Sequence, residues 1–474
     1  MNQTDLAFAS ALTQAAMIRS GDVTPIELTE LYLKRIEQSN PILGSYFTIL
    51  AEQAIADAKH KTEMLAQHSN DPSLPPFFGV PISVKDLDPM KDVRFTIGSQ
   101  ALKDNVATFD NAIVGRIKQA GFVILGKTAT PELGTMPFTE PPGFPPARNP
   151  WNPDYTPGGS SGGAASALAA GLCAIAQGSD GAGSIRGPAF CCGLVGLKPA
   201  RGRISYAPIG DTPGGIATGG PLAHTVADAA AFLDATAGYV TGDPYWLPDP
   251  PESFLSIARR NQTQEVKKKL RIGFLTQLAP VGEADPVCSQ AVFDTVKRLE
   301  SLGHIVEPVQ LDFSCLIEPF TTVFRSGVGS AGIPAEALSD INQWFISHQD
   351  LAAAYFRKLW EMQGMSRQIV GAMMPYDAVL TPTYMHHTIK IGEWSHLPPK
   401  ELLEQVTRWV LPCPPFNATG QPAIALPTGL ADNNLPVGVQ FVGRPADEAT
   451  LIAIAAQLEA INPWKHRPAI AEMD

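Results

Sequence analysis

Two glycine clusters, Gly158-Gly159-Ser160-Ser161-Gly162-Gly163 and Asp180-Gly181-Ala182-Gly183-Ser184-Ile185-Arg186, are joined by a helical run of small side chains. No other stretch of the chain constrains it as much. Glycine lets a backbone take conformations closed to other residues and lets a ligand come close to main-chain N–H groups. Each cluster holds a serine, so a hydroxyl stands beside such N–H groups twice. Hydroxyl and N–H donors together are the material of an acyl-transfer site, with a nucleophile and an oxyanion hole. The apolar run from Ala164 to Ala176 is too short to cross a bilayer, which takes about 20 residues.

The chain has 474 residues, 45% apolar and 17% charged. That length suits two or three average domains or one large α/β domain, and the composition suits a soluble enzyme with a substantial core. Its 41 glycines and 43 prolines are spread through turns rather than gathered in a low-complexity tract. A net charge of −11 argues against a phosphate-binding surface of its own, so no direct nucleic-acid partner is expected. The basic run Lys267-Lys268-Lys269 with Arg271 reads as a solvated stretch before a strand. The N-terminus opens polar and acidic, without a secretory signal. Six cysteines in so long a chain form no disulfide framework, and Cys191-Cys192 lacks metal-site spacing. The expectation is a reduced, cytoplasmic protein that does not enter a membrane.

Thr24-Pro25-Ile26-Glu27 is a capping box with proline at the first helical position, opening an amphipathic helix to about Gln38. Further helices are expected at Glu52 to Gln67, Asn111 to Gln119, Asp285 to Leu302 and Glu448 to Leu458. Buried strands are expected at Phe77 to Val84, Phe122 to Leu125, Leu270 to Leu275 and Ile305 to Val309. Short strands follow at Asp377 to Leu380, Ala423 to Leu426 and Gly438 to Val442. Asn70 to Pro76 reads as a polar connection, and residues 240 to 265 as an aperiodic, proline-rich turn region. The alternation predicts an α/β fold: a large mixed, mostly parallel twisted sheet with helices on both faces. Within a single domain over 1–474, residues 1–70 form an N-terminal helical segment. Residues 266–310 form a βαβ-like insertion or subdomain, or else continue the sheet.

Two motif matches fail on context. Gly121 to Thr128 fits GxxxxGK(S/T), but a phosphate loop needs a strand before it, flexible residues within it and a helix after it. Here the interior is itself an apolar strand. Gly158-Gly159-Ser160-Ser161-Gly162 fits GxSxG, yet Asn152 to Pro157 cannot be the central strand that a nucleophile elbow requires. None of the nine histidines stands in a setting that marks it as a base, and His386-His387 reads as a loop pair.

Without a histidine, a lysine is the candidate base. Lys85 ends the apolar strand Val80-Pro81-Ile82-Ser83-Val84, where burial would disfavour the ammonium. An unperturbed lysine is neutral in only about one part in 2,500 at pH 7, so base catalysis requires that shift. Read alone, Lys85 is more readily a lysine leaving a strand for solvent.

Taken together, the two glycine clusters and Gly193-Leu194-Val195-Gly196-Leu197-Lys198-Pro199 resemble the amidase signature family. So do Pro131-Glu132-Leu133-Gly134, Arg148-Asn149-Pro150-Trp151, Pro415-Phe416-Asn417 and Pro436-Val437-Gly438-Val439-Gln440. The resemblance covers nearly the whole chain. It implies the amidase signature fold and a Ser–cis-Ser–Lys triad. Ser184 is then the nucleophile, and Ser160, after a cis peptide bond, relays the proton to Lys85. The family pattern selects Lys85 over Lys127. The N–H groups of Gly181, Ala182, Gly183 and Ser184 become the oxyanion hole. Ser161, Asp180 and Arg186 fit roles that hold the glycine loop by hydrogen bonds. No metal or cofactor is implied.

Ala182 departs from the usual family run, which has glycine there. The Ala-Gly-Ser variant, with Thr139-Glu140-Pro141 and Ala147 to Asn152, is similar to the branch containing aminohexanoate cyclic-dimer hydrolases. The implied activity is hydrolysis of a small linear or cyclic amide, a small-molecule substrate, with Phe320 and Phe324 as candidates for lining the acyl pocket. The alternative is the A subunit of an aminoacyl-tRNA amidotransferase, a glutaminase. Against it stand Ala182 and Gly187, where that subunit usually has glycine and glutamine. A non-catalytic binding protein on the same scaffold is disfavoured because all three triad positions hold competent residues. The sequence is compatible with a homodimer but does not specify one.

Overall fold

Thirteen strands are present among the described residues. They are β1 Tyr46–Ile49, β2 Pro81–Lys85, β3 Val123–Thr128, β4 Ile175–Asp180, β5 Val195–Lys198, β6 Thr218–Ala223, β7 Arg271–Phe274, β8 Gln277–Leu278, β9 Gly282–Glu283, β10 Ile305–Pro308, β11 Ala378–Pro382, β12 Ala423–Leu430 and β13 Pro436–Gly443. The structure, a computed structural model, describes residues 2–67, 73–262 and 268–472. Residues 70–72 of the polar connection, residues 263–265 of the turn region, and Lys267 of the basic run lie outside the described residues.

Eleven strands form one sheet in the order β1-β3-β2-β4-β6-β5-β12-β13-β11-β7-β10, and β8 and β9 pair separately. The sheet is mixed, as expected, but parallel pairing does not prevail. Only β2–β3, β2–β4, β7–β11 and β7–β10 are parallel, and every neighbour pair from β4 across to β11 is antiparallel. Apolar runs reveal that a segment is a strand but not which way it runs, and a strand paired antiparallel needs only a short connection. The parallel group β3-β2-β4 matters most here. Its carboxyl ends lie together, the usual place for a site in an open α/β sheet.

The helix at Pro25–Leu43 begins as read: Thr24 accepts from the Glu27 N–H, and Glu27 reaches back to the Thr24 N–H. It runs past Gln38 and over Pro41 to Gly44, whose φ of 59° closes it. Burial of Leu43 holds the added turn. Thr24→Ala should cost about 1 kcal/mol, read as a lower midpoint in urea; an unshifted midpoint would show that the cap is not limiting.

Two expectations are corrected. The strand expected from Phe77 starts only at Pro81, because Phe77 to Val80 turn back on themselves, with Phe78 N–H bonded to Pro75 and Val80 N–H to Phe77. Phe77 is buried by stacking on Phe122, at 4.4 Å between ring centres, so its apolarity serves a turn. Residues 240–265 also hold a helix, Phe254–Asn261, capped by Ser253 and burying Phe254, Ile257 and Ala258. That spacing is helical, but the eight-residue helix follows directly on the proline-rich turn that masks it. Strands β7 and β10, joined through the helix Pro286–Ser301, occupy one edge of the main sheet.

The small-residue run forms the helix Gly162–Ala169, buried at every position. Gly163 shows why small side chains are needed: a Cβ there would lie 2.5 Å from the Ser45 carbonyl oxygen. The helix therefore sits directly against the chain that leaves β3, with Gly163 N–H bonded to the Ala129 carbonyl. This close approach fixes where Ser160 and Ser161 enter the site.

Candidate active site

Lys85 is the last residue of β2, a strand buried throughout. Its side chain is fully buried. The Nζ donates to Ser160 Oγ at 2.8 Å and to the Ser179 side-chain and carbonyl oxygens at 3.1 and 3.3 Å. All three acceptors are neutral, so no carboxylate touches the amine. Burial lowers its pKa to about 7, against the pull of Asp88 and Asp180. Gln177 accepts the Lys85 N–H and donates to Asp88, which ties β2 to β4 at this point.

Lys127, the other lysine candidate, lies on the neighbouring strand with Val84 as its partner in register, while Lys85 pairs with Thr128. Side chains alternate between faces along a strand, so the two lysines point opposite ways. Lys127 is bound to Asp86 at 3.0 Å and to the Asp88 carbonyl at 2.6 Å. Its segment Gly121 to Thr128 is committed to the sheet through β3, which leaves no phosphate loop there.

Ser160 follows a cis peptide bond from Gly159 and is 2% exposed. Ser184 lies on the loop between β4 and the helix Arg186–Cys192, half-buried and open to a cleft. Gly159 and Ala182 border the same cleft. Ser161 links the two glycine clusters: its N–H donates to the Ser184 carbonyl at 3.2 Å and its hydroxyl to the Ser179 carbonyl at 3.1 Å.

Asp180 organises the second cluster. Its carboxylate accepts from the Gly183 N–H at 2.7 Å, the Ile185 N–H at 3.1 Å and two guanidinium nitrogens of Arg186 at 2.9 Å. Both side chains are fully buried. Burial alone would push the Asp180 carboxyl up, but the Arg186 charge beside it holds it well below the ordinary range. The Gly183 N–H is thus engaged by the Asp180 carboxylate, unlike the free donor expected of it in an oxyanion hole. Gly181, Ala182 and Ser184 are partly exposed, and no described residue accepts from their N–H groups.

Sequence reasoning missed the remainder of this network. Arg186 also donates to Gln440 Oε1 at 2.6 Å and Asn417 Oδ1 at 2.6 Å, and Asn417 donates to Asp180 at 2.9 Å. Asn417 and Gln440 lie within segments that carried the resemblance, but nothing local in them names a partner. The Asp180–Gly183 bond did have a local signal, since an aspartate often accepts an N–H a few residues on.

The cleft encloses about 810 Å³ of empty space, including its open mouth. Phe320 and Phe324 both line it, stacked at 6.2 Å, with Phe345 edge-on to Phe324. His386 and His387 lie apart in a loop, where the His386 ring contacts the His387 carbonyl. At Gly187 a Cβ would overlap the hydroxyl of Tyr384, so the glutamine usual in amidotransferase A subunits does not fit.

Comparison with known proteins finds a family and relatives that the chain resembles along nearly its whole length. The family model described as Amidase matches residues 27–452. A protein of Synechocystis sp. named "Putative amidase" is 49% identical over 96% of this chain and 89% of its own length. The 6-aminohexanoate-cyclic-dimer hydrolase of Pseudomonas sp. is 32% identical over 98% of this chain and 97% of its own. A solved structure of 6-aminohexanoate cyclic dimer hydrolase with substrate superposes with a TM-score of 0.90 at 32% identity, covering 99% of this chain and 100% of that one.

Proposed function

The chain belongs to the amidase signature family, and on that footing we propose that it hydrolyses a small linear or cyclic carboxamide through an acyl-enzyme on Ser184. Ser184 Oγ attacks the carbonyl carbon, and its proton passes through Ser160 to the neutral amine of Lys85. The carbonyl oxygen gains charge and takes hydrogen bonds from the N–H groups of Gly181, Ala182 and Ser184. When the C–N bond breaks, the relay returns the proton to the departing amine. Water then attacks the ester by the same route and frees the acid.

The observation that carries this reading is the buried Lys85–Ser160 hydrogen bond beside a cleft that Ser184 borders. Burial supplies what a lysine base needs, a free amine near neutral pH. Asp180 and Arg186 act by holding the loop. The amidotransferase reading is weakened by the Tyr384 hydroxyl, which fills the space next to Gly187.

The test is the intact mass of the protein after a fluorophosphonate probe. One adduct, absent in Ser184→Ala and strongly slowed in Lys85→Ala, is the expected result. An adduct retained in Ser184→Ala would place the nucleophile elsewhere.

The rate should also follow the Lys85 amine. Since its pKa is lowered to about 7, kcat/KM should rise with pH through 7, level off above it, and fall about tenfold per pH unit well below. The residual rate of Lys85→Ala should lack this limb. Stability has the same sign: between about 7 and the ordinary 10.5 the unfolded chain binds the extra proton, so this group favours folding more as pH rises.

A further inference from the structure

We propose that the cleft beside Ser184 selects amides whose seated group is uncharged and apolar, an aryl or alkyl group without an ionised end. This rests on the reading of Ser184 as nucleophile and adds the substrate class.

Among the described residues, no charged side chain lines the cleft. One wall is aromatic: Phe320 and Phe324 stand one helical turn apart on Ile317–Ser330, and Phe345 comes from Asp340–Ser347. The facing wall is aliphatic, with Leu403, Val406 and Val410 along a single face of Pro399–Val410. The polar atoms are few and partly occupied. Thr407 Oγ1 donates to the Leu403 carbonyl at 2.7 Å, and Thr135 Oγ1 to the Glu132 carbonyl at 3.0 Å. Glu132, the nearest carboxylate on that loop, is turned to Ser99, Ser339 and Asn342.

A group entering this space loses its water and meets carbon on both sides. An alkyl or aryl group gains from that exchange. An ammonium, carboxylate or sulfonate loses hydration that the hydroxyls of the lining, Thr321 and Ser184 beside the engaged Thr135 and Thr407, are too few to replace. The cleft therefore discriminates by charge far more strongly than by a methylene or two. A cation would also meet the faces of these phenylalanine rings, but that attraction is smaller than the hydration an ammonium gives up here.

The test uses three fluorophosphonates of equal tail length, ending in tert-butyl, trimethylammonium or sulfonate. These ends are close in shape and differ in charge. Labelling is read by intact mass on the wild-type protein, with Ser184→Ala as the site control. The expected result is labelling by the tert-butyl probe at least about 30-fold faster than by either charged probe. A charged probe within threefold of the neutral one overturns the charge selection, while Ser184 stands as nucleophile. Failure of all three to label the folded protein overturns the nucleophile reading, and the substrate class falls with it.

Discussion

Ser184→Ala should lower amide turnover by at least about 10,000-fold, with the denaturation midpoint nearly unchanged. Removing a serine nucleophile in a hydrolase typically costs about 10⁶-fold in turnover, with a residual rate from the oxyanion hole and binding. The separation of the two effects follows from the local structure. The carbonyl of Ser184 accepts from the Ser161 N–H, and that bond survives the substitution. Its hydroxyl makes no hydrogen bond to a described residue, so alanine removes the reacting atom and little else. Turnover by the purified variant, beside its urea unfolding curve, checks both halves. A loss below about 100-fold would mean that water, activated near Lys85, attacks directly.

Arg186→Ala should have the largest effect on stability, about 3 to 5 kcal/mol in urea unfolding. Breaking a buried ion pair by removing one partner leaves the other charge buried and uncompensated. Here the guanidinium also serves Gln440, Asn417 and the Cys413 carbonyl, so several buried acceptors lose a donor at once. Arg186→Lys keeps the charge but not the planar fork and should fall between the two. The penalty should shrink in acid. In the wild type, Arg186 holds the Asp180 carboxyl below its ordinary 3.8. That stabilisation is present above about pH 4 and is lost as the pH falls toward the folded value. An Arg186→Ala penalty of equal size at pH 3 and pH 7 would show that packing, not charge, dominates. Turnover should vanish even where the variant is folded, because Asp180 then loses the partner that fixes it against the Gly183 N–H.

The parts of the site legible in the sequence are those with local signatures. Lys85 was marked by the apolar strand it ends, Ser160 and Ser184 by their glycines, and the start of the first long helix by its capping box. The absence of a phosphate loop at Gly121 to Thr128 was likewise readable, because the run inside the motif is a strand and remains one as β3. Local chemistry misled where one pattern served two conformations. The apolar residues of Phe77 to Val80 belong to a turn, and the short helix at Phe254–Asn261 lay hidden behind a proline-rich turn.

By itself the sequence determined the residue types at the site, the flanking elements that carry them, and the family they belong to, since each depends on short-range spacing and backbone preference. Only the tertiary structure decided three things. It decided that Lys85 is fully buried against neutral oxygens, because that depends on β4 lying beside β2 and presenting Ser179. It decided that Arg186 is shared among Asp180, Asn417 and Gln440, the latter two 231 and 254 positions away. And it decided that the cleft is apolar, because helices from distant parts of the chain turn their uncharged faces toward Ser184. Burial and pairing are properties of what the chain brings together in space, and no short stretch of sequence contains them.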